Sequence, residues 1–216
     1  MITSLPITDE YLREAVNRAY ILSGYLPEIR KYWTKEQCVL AEDVTIVNKI
    51  QAQSPDIALG TTDNSDNSGW NDQNISYSSS DNSCSNHVGL PMNIAISIGE
   101  FLKSYSEDSI ISDKTVKLAP DIKVLVTCET NDFGKTYDRI TDITIAVPHT
   151  SDKDVYSVRA FVESIVRMHL QNEYSDLYNN SEINWVINGT GLFTIFGQIS
   201  DTSMTGRKLS VNHPSA

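Results

Sequence analysis

Residues 188–211, NGTGLFTIFGQISDTSMTGRKLSV, combine glycine-rich turns with two short apolar runs near the end of the chain. Residues 188–191 predict a tight turn, because its two glycines tolerate the positive φ angles that such turns need. Residues 193–196 predict a short apolar strand, and residues 198–205 predict a polar loop. Alternation resumes at residues 209–211, so the segment as a whole predicts a strand, a loop and a second strand.

The same segment carries a small group of charges. Asp201 is the one acid in the polar loop, and Gly206 lets the backbone pass closely before the adjacent cations Arg207 and Lys208. A carboxylate beside a paired arginine and lysine can receive a ligand with an ammonium group at one end and phosphates at the other. The alternative is a β-hairpin whose charged side chains face water. The residue pattern leaves both interpretations open.

Composition bounds the class of protein. The 216 residues, with a formal net charge of −11, suffice for one large domain or two small ones. The acidic balance argues against nucleic-acid binding, and neither a signal peptide nor an apolar stretch of about 18 residues that could span a membrane is recognisable. Cys38, Cys84 and Cys128 are an odd set without paired spacing, which predicts neither a disulfide framework nor a zinc site. We therefore expect the cytoplasm or another reducing intracellular compartment.

The first third of the chain predicts two helices and a strand. Apolar residues at helical spacing indicate a helix that begins after Thr8, a good N-cap residue, and ends at Gly24. Pro27 predicts the start of a short second helix that reaches Trp33. The Val- and Ile-rich residues 44–51 predict a strand.

The second half predicts an alternation of helices and strands. Pro91 is suited to the first turn of a helix that we expect to end near Tyr105. Asp152 or Asp154 predicts the start of a long helix. His149, at the end of a strand, is expected to be a surface residue rather than a catalytic base. The strands are predicted at residues 122–129, 140–147 and 185–188, the first two joined by a turn at residues 131–134.

Between these halves the composition changes. Residues 61–87 contain no Lys or Arg and consist mostly of Ser, Asn and Asp, so residues 58–90 predict a polar, lid-like loop. This loop separates a first, partial α/β unit (residues 1–57) from a second α/β unit (residues 91–216). The predicted class is α+β, with helices packed on one face of antiparallel or mixed sheets.

Several segments resemble, in order, motifs of the S-adenosylmethionine synthetases (methionine adenosyltransferases). Residues 187–193, INGTGLF, and residues 201–208, DTSMTGRK, are similar to the family's Ile-Asn-Pro-Thr-Gly-Arg-Phe segment and to its Asp-containing loop that ends in Thr-Gly-Arg-Lys. Further similar segments are QSPDI (53–57), GWNDQNI (69–75) and PDIKVLVT (120–127). The resemblance covers most of residues 8–212 and implies the α/β repeats of that family.

The resemblance implies a site for ATP and methionine. It implies Lys123 and Arg207 as catalytic residues. The substrate-binding residues that it implies are Gln53, Asp72, Asp201 and Lys208. It also implies Mg²⁺ and K⁺, but the family's His-Pro-Asp-Lys segment and its part beyond Thr-Gly-Arg-Lys have no counterpart in these residues, so the main ligands of both ions are expected outside this chain.

Two functions stay open at this point. One is a methionine adenosyltransferase of one-carbon metabolism that is incomplete as a catalyst until another chain supplies the missing residues. The retained Lys123, Asp201 and the pair of Arg207 and Lys208 favour it. The other is a non-catalytic relative, a pseudoenzyme that serves as a structural or interaction subunit, and Leu192 in place of the family's Arg favours it. Either way, part of the family's fold would expose sheet faces, so a homo-oligomer or a hetero-assembly is expected.

Overall fold

The computed structural model describes residues 2–3, 7–52, 82–131, 136–179 and 182–200. In chain order, its helices and strands are β1 (Ile2–Thr3), α1 (Asp9–Leu22), β2 (Gln51–Ala52), α2 (Leu90–Ile111), β3 (Lys123–Asn131), β4 (Thr136–Ala146), α3 (Val155–Glu173), α4 (Ser175–Asn179) and β5 (Asn184–Ile187). Short 3-10 helices lie at Pro27–Lys31, Ala41–Asp43 and Gly197–Ile199. The predicted α+β class is confirmed.

The main sheet has the strand order β3-β4-β5 and is mixed. Strands β3 and β4 are antiparallel, whereas β5 runs parallel to β4, with Ile143 opposite Trp185 and Ile145 opposite Ile187. The parallel pair is joined through α3, as a crossover connection requires. A second, two-stranded parallel pairing joins β1 to β2.

Helices α2 and α3 cover one face of this sheet. Alternate residues of the strands, such as Val126, Ile143 and Ile145, are buried beneath them, because successive side chains of a strand point to opposite faces. The helices contribute residues at helical spacing, which are Ile94, Ile98 and Leu102 from α2 and Val158, Val162, Val166 and Leu170 from α3. Each such side chain contributes about 1.5 to 3 kcal/mol through removal of apolar surface from water.

The helix starts follow local signals in the sequence. The Thr8 hydroxyl accepts a hydrogen bond from the backbone N–H of Tyr11 at 3.3 Å, and Asp154 accepts one from the N–H of Ser157 at 2.9 Å. Both satisfy N–H groups that the first turn of a helix leaves without a partner. Within the described residues, none of these helices is both long enough and apolar enough to cross a bilayer.

Helix α2 is longer than predicted, since it ends at Ile111 and not near Tyr105. The extra turns bury Ser106 and Ser109, two polar residues that an apolar stripe does not include. The Ser106 hydroxyl donates to the Leu118 carbonyl at 3.0 Å, and the Ser109 hydroxyl donates to the Ser106 carbonyl at 2.8 Å. These bonds compensate the burial of both hydroxyls, which explains why the helix continues.

The predicted strand over residues 44–51 is wrong. Within the described residues, 44–50 have no strand partner, and the pairing begins at Gln51. The Asn48 side chain accepts a hydrogen bond from the Ile50 N–H at 3.0 Å and donates to Asp9 Oδ1 at 3.0 Å. A side chain that bonds the backbone two residues later competes with a β ladder, and Val44 to Lys49 stay irregular for that reason.

A second hydrophobic cluster joins segments that are distant in sequence. Its buried members are Ile29, Trp33, Cys38, Leu40, Ile110, Ala119 and Phe196. Trp33 and Phe196 meet edge to face with ring centroids 5.6 Å apart. Arg30 stabilises the segment of residues 29–43, because its guanidinium bonds Asp43 and donates to the Cys38 carbonyl at 3.1 Å. Burial raises the pKa of the Cys38 thiol to about 12, so this cysteine stays a neutral core residue.

One histidine lies in the interface between α2 and α3. His169 stacks on Phe101 with ring centroids 4.6 Å apart, and its Nε2 lies 2.8 Å from the Ser97 hydroxyl oxygen. Burial lowers the pKa of His169 below its ordinary value of 6.5, with an opposing contribution from Glu173. The folded protein therefore holds fewer protons at this site than the unfolded chain does.

We expect acid to destabilise the fold through His169. A depressed folded-state pKa contributes stability that is fully present above pH 6.5 and is lost as the pH falls through the lower folded-state pKa. Urea unfolding at pH 7.5 and pH 5.0 should give a smaller difference for His169→Gln than for the native chain. An identical difference in both proteins would show that His169 does not carry this part of the pH dependence.

Candidate functional site

Lys123 is the predicted site residue that the structure describes. It is the exposed first residue of β3 and lies opposite Ala146 in the ladder. Because side chains alternate along a strand, Lys123 and Leu125 lie on the sheet face opposite to the buried Val126. The remaining predicted site residues lie outside the described residues, namely Gln53, Asp72, Asp201, Arg207 and Lys208.

The start of the predicted polar loop lies beside the end of β3 that carries Lys123. The backbone N–H of Gly197 donates a hydrogen bond of 3.0 Å to Asp121 Oδ2, two residues before Lys123. Gly197 opens the last 3-10 helix, and Asp201 follows that helix and Ser200 in the sequence. Asp121 stands in the same Pro-Asp-Ile-Lys run as Lys123, but that motif alone did not indicate a contact with Gly197.

Residues 193–196, which were predicted to form a strand, do not form one. Their backbone groups bond two separate residues, His149 and Gln37, instead of one neighbouring strand. The Phe193 carbonyl accepts from the His149 N–H at 2.9 Å, and the Phe196 N–H donates to the Gln37 carbonyl at 3.0 Å. The Thr194 carbonyl accepts from the Gln37 side chain at 3.4 Å. These hydrogen bonds hold the segment in place although it forms no β ladder.

His149 is buried, so its predicted place at the surface is wrong. Its Nδ1 lies 2.9 Å from the Thr150 carbonyl, and a carbonyl can only accept, so Nδ1 carries a proton. Its Nε2 lies 3.5 Å from the Phe193 N–H and is the acceptor of that contact. His149 thus joins the end of β4 to the segment after β5.

The predicted turn at residues 188–191 is present, and it is stabilised by a hydrogen bond within the turn and by hydrogen bonds from helix α3. The Gly191 N–H donates to the Asn188 carbonyl at 2.9 Å, and the positive φ angles belong to Asn188 (+45°) and Gly191 (+111°) rather than to both glycines. Arg159 of α3 donates from Nε to the Ile187 carbonyl at 2.7 Å and from Nη2 to the Asn188 carbonyl at 2.6 Å.

The Asn188 side chain extends the β4–β5 ladder by one step. Its Oδ1 accepts from the Val147 N–H at 2.9 Å, and its Nδ2 donates to the Val147 carbonyl at 3.0 Å. The backbone N–H of Asn188 meanwhile donates to the Ile145 carbonyl at 2.9 Å. The buried side-chain amide of Asn188 thus takes the place of the backbone of a further strand residue. Composition and residue spacing did not indicate this role.

Tyr25 packs directly on Gly197. A Cβ placed on Gly197 would lie 2.9 Å from the Tyr25 hydroxyl oxygen and 3.0 Å from Cε1 of its ring, and Gly197 has a φ of +69°. Burial raises the pKa of Tyr25, and the charge of Asp121 raises it further. Glycine is therefore needed here both for its φ angle and for the close approach of a neutral phenol.

An apolar groove begins one residue after Lys123. It has a volume of about 330 Å³ and runs along Val124, Leu125 and Val126 of β3 and the first turns of α2, including Met92 and Ala95. Lys123 does not line this groove, and its side chain lies on the sheet face opposite to the buried Val126.

Within the described residues, no group of three or more His, Cys, Asp or Glu side chains is placed to hold a metal ion. The described part of the chain thus offers no cluster that fits Mg²⁺, which prefers several oxygen ligands.

Relatives in sequence are S-adenosylmethionine synthases. The chain is 29% identical over 218 residues to the S-adenosylmethionine synthase of Acholeplasma laidlawii, covering 97% of this chain and 51% of that protein. It is 33% identical over 172 residues to that of Paramagnetospirillum magneticum, covering 79% of this chain and 42% of that protein. The chain thus spans about half the length of these relatives. No family model matches it.

The fold has a solved counterpart. The chain is similar to an unusual S-adenosylmethionine synthetase from Campylobacter jejuni, with a TM-score of 0.73 over 96% of this chain and 50% of that protein. The sequence identity in this comparison is 17%, so it supports the architecture. It does so over nearly the whole of the 216 residues.

Proposed function

Because this chain is related in sequence and in fold to the S-adenosylmethionine synthases over about half of their length, we propose that it provides part of a methionine adenosyltransferase site. In this proposal the chain binds the polyphosphate of ATP through Lys123, with Arg207 and Lys208 as further cations. Gln53, Asp72 and Asp201 bind the remaining parts of ATP and methionine. The residues that complete the catalyst come from beyond these 216 residues.

One observation carries this proposal. The bond between the Gly197 N–H and Asp121 brings the chain that leads to Asp201 beside the strand end that bears Lys123. A polyphosphate needs several cations in one place, and a lysine on a strand gives a fixed position for the first of them.

The proposed reaction explains why these cations matter. The methionine sulfur attacks C5′ of the ATP ribose, so a carbon–sulfur bond forms while the carbon–oxygen bond to the triphosphate breaks. The leaving triphosphate carries about four negative charges, and removal of one well-placed donor costs about 3 kcal/mol in such a transition state. Mg²⁺ and K⁺, which the family resemblance implies, would share that charge through ligands outside the described residues.

A second candidate function is a non-catalytic subunit with the same fold. The specific observation for it is Leu192, which stands where the family resemblance expects an arginine and is 63% exposed. An exposed leucine in place of a cation removes a charge from the neighbourhood of the turn and adds apolar surface for a partner protein. The two candidates differ in whether the chain binds polyphosphate.

We expect Lys123→Ala to weaken binding of tripolyphosphate by about fivefold to tenfold, because one charged contact is lost. Isothermal titration calorimetry of the native chain and of the variant measures this change. Lys31→Ala is the matched control, since Lys31 is also exposed but lies on the 3-10 helix Pro27–Lys31. Equal affinity of Lys123→Ala and the native chain would exclude the proposed role of Lys123.

Activity separates the two candidate functions. The chain is incubated with ATP, methionine, Mg²⁺ and K⁺, and S-adenosylmethionine is sought by mass spectrometry. Product that disappears in both Lys123→Ala and Arg207→Ala would establish a complete site within these residues. Tripolyphosphate binding without product is the expected result for a site that needs further residues. Absence of both tripolyphosphate binding and product would favour the non-catalytic subunit.

A further inference from the structure

A cleft of about 230 Å³ lies between the second half of α1 and two 3-10 helices, Pro27–Lys31 and Ala41–Asp43. Tyr20 and Tyr25 line it, together with the buried Leu40. This volume is below the range of about 300 to 1,000 Å³ that is typical of drug-sized ligands. The cleft therefore suits a small chemical group rather than a large cofactor.

Two aromatic rings form a corner of this cleft. The rings of Tyr20 and Tyr25 are 5.8 Å apart between centroids and inclined by 68°. Burial raises the pKa of both phenols, so both rings stay neutral at physiological pH. The two rings meet edge to face. A neutral aromatic ring attracts an organic cation through the negative quadrupole of its face, so two such rings in the lining favour a cationic ligand.

Glu42 is the charged side chain that lines the cleft, and it is largely exposed. Two arginines lie near the cleft without lining it. Arg13 donates to the Ala41 carbonyl at 3.0 Å. Arg30 bonds Asp43 and also forms a longer ion pair with Glu42, with 3.7 Å between Arg30 Nε and Glu42 Oε1. The lining thus combines aromatic walls with one carboxylate and has no lining cation among the described residues.

We propose that this cleft binds a small alkylated cation, either a quaternary ammonium or a sulfonium group. The methyl groups of such an ion contact Tyr20, Tyr25 and Leu40, and its charge is shared between the rings and the Glu42 carboxylate. A neutral molecule of the same shape fills the same volume but gains neither the aromatic nor the carboxylate attraction. Tyr20 and Glu42 are not among the residues assigned to polyphosphate, so this binding is separate from the proposed reaction.

The test compares ligands of equal shape and different charge. The 216-residue chain is titrated with choline, with trimethylsulfonium and with 3,3-dimethyl-1-butanol, the neutral carbon analogue of choline, and backbone amide shifts are followed by NMR. We expect saturable shifts around Tyr20 and Leu40 for the cations and binding about fivefold weaker for the neutral analogue. The stronger of the two cations identifies the ammonium or the sulfonium class. Equal binding of choline and its neutral analogue, or no shifts at these residues, would overturn the proposal.

Variants at positions outside the buried core test the proposed cation binding independently. Glu42→Gln, at an exposed position, should weaken choline binding and leave the neutral analogue unchanged. Tyr20→Leu should weaken choline binding about fivefold, whereas Tyr11→Leu, at an exposed tyrosine of the same helix outside the cleft, should not. Choline binding that is unaffected in both Glu42→Gln and Tyr20→Leu would refute the assignment.

Discussion

Replacing Asn188 by alanine should lower the free energy of unfolding by about 3 to 5 kcal/mol. The substitution removes both side-chain hydrogen bonds to Val147 and leaves the N–H and C=O of that fully buried residue without partners. It also places alanine at a φ of +45°, a conformation that asparagine tolerates better. Urea unfolding followed by circular dichroism measures the loss.

Three further variants separate these causes. Asn188→Gly loses the same hydrogen bonds without the cost of the positive φ, so it should be about 1 kcal/mol more stable than Asn188→Ala. Asn188→Asp keeps the shape but brings a carboxylate oxygen against the Val147 carbonyl, and it should be at least as damaging as alanine. Asn184→Ala, at an exposed position of β5, the strand that ends just before Asn188, should cost no more than about 0.5 kcal/mol. A comparable loss in Asn184→Ala and Asn188→Ala would contradict the role given to the buried amide.

Gly197→Ala should lower the free energy of unfolding by about 2 to 4 kcal/mol and also weaken tripolyphosphate binding. Alanine is strained at a φ of +69°, and its Cβ would press on the ring and hydroxyl of Tyr25. Relief of that overlap moves the Gly197 N–H away from Asp121, which disturbs the approach of the following chain to Lys123. Stability is measured by urea unfolding and binding by calorimetry.

A double-mutant cycle with Tyr25→Leu isolates the steric part. In the Tyr25→Leu background the clash is removed while the positive φ remains, so the cost of Gly197→Ala should fall by about 1 kcal/mol or more. If the cost of Gly197→Ala is the same in both backgrounds, the close approach of Tyr25 is not its cause.

Sequence patterns predicted those elements whose causes are local. Thr8 and Asp154 mark helix starts because a capping side chain acts within three residues. The prediction of a strand over residues 44–51 was wrong because β-branched residues form a strand only beside a neighbouring strand. The hydrogen bond from the Ile50 N–H to the Asn48 side chain competes with such strand pairing. The end of α2 was misplaced because the partners of Ser106 and Ser109 lie around Leu118.

The candidate site was predictable to a smaller degree. Lys123 was singled out through its motif, and the structure places it at an exposed position at the start of β3, but its role stays a prediction. The sequence did not indicate that His149 and Asn188 are buried residues that connect segments. Their hydrogen bonds go to backbone groups of Phe193 and Val147, which lie near them only in the folded chain. The roles of Gln53, Asp72, Asp201, Arg207 and Lys208 stay predictions from motif resemblance.

The contact between Trp33 and Phe196 has a consequence for synthesis on the ribosome. Trp33 leaves the ribosome long before Phe196 is translated, and at about 5 to 20 residues per second the delay is on the order of ten to thirty seconds. During that interval the early segment around Trp33 exposes an indole and neighbouring apolar side chains that the finished fold buries. The nascent chain is therefore expected to engage a chaperone that binds aromatic segments, and release should follow completion of the last part of the chain.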